Sequence, residues 1–222
     1  MRAVPLLLVR SGRTTVLVDT GVGPPGSWPD WSPEVEGRLP DELAALGVAD
    51  ADVDIVFLTH LHIDHLGWNT GPDGTPFFPR ARYVVHRDAL EHARKAADRP
   101  QIRRCVEPLA DRFETVSGAV ELSDEVMAFE APGHYPGHMA VRLTSHGHGA
   151  VLLADVAVHP VLLDRTDVAY VFDVDATTAM DTRKRLVPEL LDEDVLVACG
   201  HYPGGGIGRL VTRDGRVAFA AV

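Results

Sequence analysis

Residues 58–67 read LTHLHIDHLG and put His60, His62, Asp64 and His65 inside six positions. Three imidazoles and a carboxylate in so short a stretch suit a divalent cation: zinc first, with iron, manganese or cobalt also admitted, because ligand type does not settle metal identity. In an extended segment alternate side chains share a face, so 60, 62 and 64 point one way and His65 diverges. A loop leaving a strand end could therefore offer His60 and His62 to one ion while Asp64 and His65 reach a second. Gly67 suits a tight turn around them. The plain alternative is a polar loop rich in histidine, and the tight spacing argues against it.

These side chains need a scaffold. The run DIVFLT at 54–59 is apolar, β-branched and bounded by polar loops, which predicts a buried strand feeding the cluster. Before it, VPLLLV and TTVLVDT form a hairpin turned at Ser11 and Gly12, with residues 4–9 and 16–18 in the core. Residues 21–33 form a loop rich in Gly, Pro and Trp. DELAALG is a short helix capped by Asp41 and ended at Gly47.

ARYVVH is a strand, and DALEHARKAAD and PQIRRCVEPLADRF are helices. VMAFEA, MAVRLT and AVLLAD are strands, the last two joined by SHGHG. ATTAMDTRKRLVPELL is a helix disturbed near Pro188. VLVAC is a further buried strand, and RLVTRDGRVAFA is a hairpin turned at Asp214 and Gly215. Strands in both halves with interspersed helices predict sheets covered by helices, in one domain over residues 1–222.

Of the 11 histidines, five (His60, His62, His65, His134 and His201) follow predicted strand ends within motifs. The other six, His86, His92, His138, His146, His148 and His159, read as surface or core residues. With 21 basic and 32 acidic residues the net charge is −11, which argues against nucleic-acid or anionic-membrane partners. The basic clusters RR at 103–104 and RKR at 183–185 read as solvated helix faces. Cys105 and Cys199 are the two cysteines, so a disulfide framework is not expected and a reduced, cytoplasmic protein is. The opening apolar run of about six residues is shorter than a secretion-signal core, and nothing approaches the roughly 18 apolar residues of a membrane span.

HLHIDH carries the HxHxDH pattern of the metallo-β-lactamase-fold hydrolases, which the chain resembles along nearly its whole length. VDTG at 18–21, APGHYPGH at 131–138, LLAD ending at Asp155 and ACGH ending at His201 match that family's further motifs in order. The resemblance implies an α/β fold, an αββα sandwich of two mixed sheets packed face to face with helices outside. It implies one ion held by His60, His62 and His134, a second by Asp64, His65 and His201, and Asp155 bridging them. Asp19 and Thr59 would orient ligands from behind, and His138 would be structural.

Such a centre supports hydrolysis by a metal-bridged hydroxide, with Asp64 or Asp155 relaying a proton to the leaving group. DHLGWNT, FFPRARYVVH, DVAVHP and GHYPGGGIGRL resemble the branch holding N-acyl-homoserine lactonases and methyl-parathion-hydrolase-like phosphotriesterases. The substrate implied is a small lactone or related ester with an apolar acyl part. The alternatives are a phosphotriester or thioester at the same site, or a non-catalytic metal-binding protein. The chain departs from the lactonases at Val158, where they place a tyrosine; Tyr170, Tyr202 or Tyr135 could substitute or simply pack. Trp28, Trp31 and Trp68, with Phe77 and Phe78, could wall an apolar pocket or fill the core. The GSWPDW loop could be a substrate lid or a homodimer contact.

Overall fold

A computed structural model describes residues 6–28, 37–202 and 205–222. By internal packing the chain divides into two compact units, Met1–Val116 and Ser117–Val222.

The first unit is built on a five-stranded sheet in the order β1-β2-β3-β4-β5. β1 (Leu7–Ser11) and β2 (Thr14–Val18) form the expected antiparallel hairpin, with Leu8 opposite Leu17. β3 (Ile55–Leu58), β4 (Arg82–His86) and β5 (Phe113–Val116) then continue in parallel from β2. Strands inside a parallel sheet are covered on both faces and so read as continuous apolar runs. Val16 to Val18 and Ile55 to Leu58 are accordingly buried. Leu7 to Val9 are only half-buried, contrary to the core assignment, because β1 is the sheet edge.

Helices α1 (Leu39–Ala45), α2 (Arg87–Lys95) and α3 (Pro100–Cys105) complete the unit. Asp41 is not the cap of α1: Arg38 takes that place, Pro40 opens the helix and Asp41 lies in its first turn, as proline's fixed φ favours. The helix expected over 100–113 stops at Cys105. A 3-10 turn comes next at Glu107–Leu109, around Pro108, and Phe113 already opens β5.

The second unit is a mixed seven-stranded sheet in the order β12-β11-β10-β9-β8-β7-β6. Its strands are β6 (Val120–Ser123), β7 (Val126–Glu130), β8 (Met139–Ser145), β9 (His148–Leu152), β10 (Leu196–Ala198), β11 (Ile207–Arg213) and β12 (Arg216–Ala221). β9 and β10 are parallel and the other pairs antiparallel. The β11–β12 hairpin turns at Asp214 and Gly215 with φ of 51° and 74°, the left-handed pair that such tight turns require.

α4 (Val161–Asp164) and α5 (Ala176–Glu193) accompany this sheet. α5 runs unbroken through Pro188, which sits on its solvent side together with Lys184, whose carbonyl loses its helical donor there. Its buried stripe is Ala179, Thr182, Arg183, Leu186, Val187 and Leu190. Leu186, Val187 and Leu190 share a core with Val151, Leu153, Leu162, Leu163 and Val197.

Candidate metal centre

Parallel pairing brings the C-terminal ends of β2 and β3 to one edge of the first sheet. Asp19 comes directly after β2 with φ of 60°, and its N–H donates to Phe57 O at 2.8 Å. Its carboxylate thereby meets the segment that leaves β3. Oδ1 accepts from Thr59 N–H at 2.8 Å, and Oδ2 accepts from the Thr59 hydroxyl and from His65 Nδ1, both at 2.8 Å.

With its proton committed to Asp19, the Thr59 hydroxyl accepts from His60 Nδ1 at 3.1 Å. Both imidazoles therefore carry their proton on Nδ1 and keep Nε2 as a donor atom, a tautomer assigned from the partners. His60 Nε2 lies 2.9 Å from His62 Nδ1, while His65 Nε2 has Asp64 Oδ1 at 3.9 Å. His60 and His65 are buried, and His62 and Asp64 are half-buried. Gly67 closes the loop where only glycine fits: a Cβ there would stand 2.1 Å from Val22 C.

In the second unit Leu152 and Ala198 are partners at the parallel ends of β9 and β10. Asp155 and His201 each lie three residues beyond those ends, and His201 Nε2 is 3.3 Å from Asp155 Oδ1. His134 leaves the end of β7, which runs in the same direction, and its Nε2 is 3.3 Å from Asp155 Oδ2. One carboxylate thus faces an imidazole nitrogen at each oxygen. Two donors each about 2.1 Å from one tetrahedral cation stand about 3.4 Å apart, so the 3.3 Å spacings and the nitrogen and oxygen donors fit divalent ions.

His138 acts from behind. Its Nδ1 donates to Ala131 O at 3.0 Å, and its Nε2 accepts from Asp155 N–H at 3.2 Å. Ala154, just before Asp155, has φ of 47°, a conformation costly for a residue with a Cβ.

His134 Nδ1 donates to Asp173 Oδ1 at 3.1 Å, and Asp173 Oδ2 receives the Arg183 guanidinium at 3.2 Å. Burial pushes the Asp173 carboxyl up, but the hydrogen bond from His134 and the guanidinium outweigh it and hold it below the usual carboxylate range. Sequence reasoning missed this pair and assigned Arg183 to a solvated face. The missed signal was an arginine inside the apolar stripe of α5. Arg104 is corrected likewise: it donates to Gly67 O at 2.8 Å and lies over the Trp28 ring, rather than facing solvent.

Trp28 is buried, its indole N–H bonded to Val22 O, so it packs rather than forming an exposed lid. Trp31 lies outside the described residues. Trp68 is buried, donates to Gly37 O at 3.1 Å and packs on Phe77. Tyr202 is buried against Phe219, and burial raises its phenol well above the ordinary value. Tyr170 stacks on His134, with ring centroids 6.1 Å apart. Burial lifts Cys105 to about 11, and burial with Asp155 lifts Cys199 further. Neither thiol is ionised near neutrality, so neither serves as a nucleophile.

Residues 2–201 match the model of the metallo-beta-lactamase superfamily, and the chain belongs to that superfamily. Its two mixed sheets are those of the metallo-beta-lactamase α/β sandwich. Among curated relatives, the N-acyl homoserine lactonase AttM of Azorhizobium caulinodans is 31% identical over 172 residues, covering 65% of this chain and 61% of that protein. The chain thus spans about three fifths of the length of that relative. Among solved structures, AidC, a dizinc quorum-quenching lactonase in complex with the product N-hexnoyl-L-homoserine, superposes with a TM-score of 0.82 at 21% identity, over 98% of this chain and 78% of that one. The hydrolase AbOPH gives 0.82 at 26% identity, over 97% and 78%.

Proposed function

We propose that this chain is a binuclear metal-dependent hydrolase that opens a lactone or related ester bearing an apolar acyl part. The observation that carries the proposal is Asp155, with His134 Nε2 at one oxygen and His201 Nε2 at the other, each at 3.3 Å. The AttM relative and the AidC structure, both lactonases, support the choice of electrophile.

In this reading His60, His62 and His134 would hold one ion and Asp64, His65 and His201 the other, and Asp155, which meets both His134 and His201, would contribute to both. Zinc is the metal we propose, on the basis of the nitrogen-rich donor set. When bound, such ions acidify water and polarise a carbonyl, so that no serine or cysteine nucleophile is needed.

The chain's own residues do the rest. Asp19 and Thr59 keep the protons of His65 and His60 on Nδ1 and present Nε2. The carboxylate of Asp64 or Asp155 would take up the proton given up by the attacking water and deliver it to the leaving oxygen. Val158 has no hydroxyl and packs against the core, so we assign Tyr170, whose ring lies over His134, the role of holding the substrate's carbonyl or leaving oxygen. Val171, Phe172 and Val174 are exposed on the same loop and offer apolar surface to an acyl chain.

The proposal includes a small-molecule substrate rather than nucleic acid or membrane, supported by the net charge of −11. Among the described residues no helix is long and apolar enough to cross a membrane. It includes a reduced, cytoplasmic setting, supported by two free, buried cysteines. For the assembly we propose a homodimer; light scattering should give about twice 24.0 kDa, and the mass of one chain would refute it.

A panel of an N-acyl lactone, an aryl ester, an aryl phosphotriester and an acyl thioester tests the substrate class. The lactone should have the highest kcat/KM. A phosphotriester or thioester ranked first would replace the electrophile while leaving the metal site standing.

A further inference from the structure

Behind His134 lies a buried charged pair that belongs to none of the chain's metal-ligand motifs. Asp173 precedes α5, and both its side chain and that of Arg183 are withdrawn from solvent. Asp173 Oδ1 accepts from His134 Nδ1 at 3.1 Å. Its Oδ2 accepts from Arg183 Nη1 and Nη2 at 3.2 and 3.3 Å and from Tyr170 N–H at 3.3 Å. Arg183 uses further N–H groups on Val156 O at 3.1 Å and Val168 O at 2.9 Å.

The backbone is fixed as well. Val174 N–H donates to His134 O at 3.1 Å, and Asp175 N–H to Gly133 O at 2.9 Å. Asp175 in turn caps α5 through Thr178 N–H. A buried ion pair is weak evidence for stability, since desolvation offsets most of its attraction. Its cost therefore asks for another role. A carboxylate only accepts, so the imidazole nitrogen that meets Asp173 carries the proton, and Nε2 is the nitrogen turned to the Asp155 side, 3.3 Å from Oδ2, where a divalent ion would be held.

We propose that Asp173, clamped by Arg183, is a positioning residue for His134: it fixes the Nδ1–H tautomer and the ring orientation so that Nε2 is presented to a divalent ion. The inference rests on the metal-hydrolase reading above. It adds to that reading an outer partner lying some forty residues beyond the ligand it serves, brought back to it by the loop that leads into α5.

The test is zinc affinity of the whole chain, measured by competition with a chelating dye. Wild type should bind two ions, and a wild type that binds none overturns the metal reading and this proposal together. With wild type binding, Asp173→Ala should weaken one of the two sites about 10–100-fold and leave the other unchanged. In a His134→Ala background the same substitution should add no further loss. An unaltered affinity, or an equal loss with and without His134, overturns the positioning role and leaves the metal reading intact. Should Asp173→Ala fail to fold, nitrogen-15 NMR of wild type decides. The His134 resonances, assigned against His134→Ala, should show Nδ1 protonated, and an Nε2–H pattern overturns the proposal.

Discussion

Asp155 meets two imidazoles through separate oxygens, so substitutions there separate charge from shape. Asp155→Ala and His62→Ala should each lower kcat/KM for a lactone at least about a hundredfold, and full activity in Asp155→Ala would refute a shared carboxylate. Asp19→Asn should act more mildly, through orientation, weakening metal binding about 10–100-fold. Cys105 gives a prediction free of the metal. Its thiol rises from an ordinary 9.0 to about 11 through burial, so the unfolded chain loses its proton first as pH rises. Stability is unaffected by this group below pH 9 and falls progressively between 9 and 11. Thermal melting across that range should show the decline, and a Cys105→Ala variant should show less of it.

At the scale of elements, the loops that carry the proposed ligands depend on close backbone approaches. Gly133 has φ of 125°, and a Cβ on it would lie 2.2 Å from Ala179 N at the start of α5. Gly133→Ala should therefore cost at least about 2 kcal/mol and loosen both His134 and Asp173, measurable as a lowered Tm; an unchanged Tm would contradict this packing. Legibility in the sequence has the same physical origin. β2, β3 and β4 can be read directly because strands buried on both faces need uninterrupted apolar runs. β5 and β6 cannot, because FETV and VELS alternate with charge and the pairing of distant segments sets them. The proposed ligands before residue 70 show in one short motif, whereas the Asp173–Arg183 pair has no local pattern and exists only through tertiary folding. Trp28 reads as an exposed loop residue because its sequence neighbours are rich in Gly and Pro; its indole is buried through contacts to Val22 and Arg104.

For the whole molecule, the proposed pair of ions would make stability depend on metal. Ions that bind the folded chain and not the unfolded one raise its stability by about 2.7 kcal/mol at a hundred times Kd, so chelation should lower the Tm and added zinc should restore it. A chain of net charge −11 should also show no salt-sensitive binding to duplex DNA in a mobility-shift assay. The most direct test of the central claim is elemental analysis of protein purified without chelators, paired with lactone hydrolysis on the same sample. Two divalent ions per chain, with activity lost on chelation and regained on reloading, is the predicted result. Fewer than one ion per chain, or hydrolysis indifferent to chelation, would contradict it.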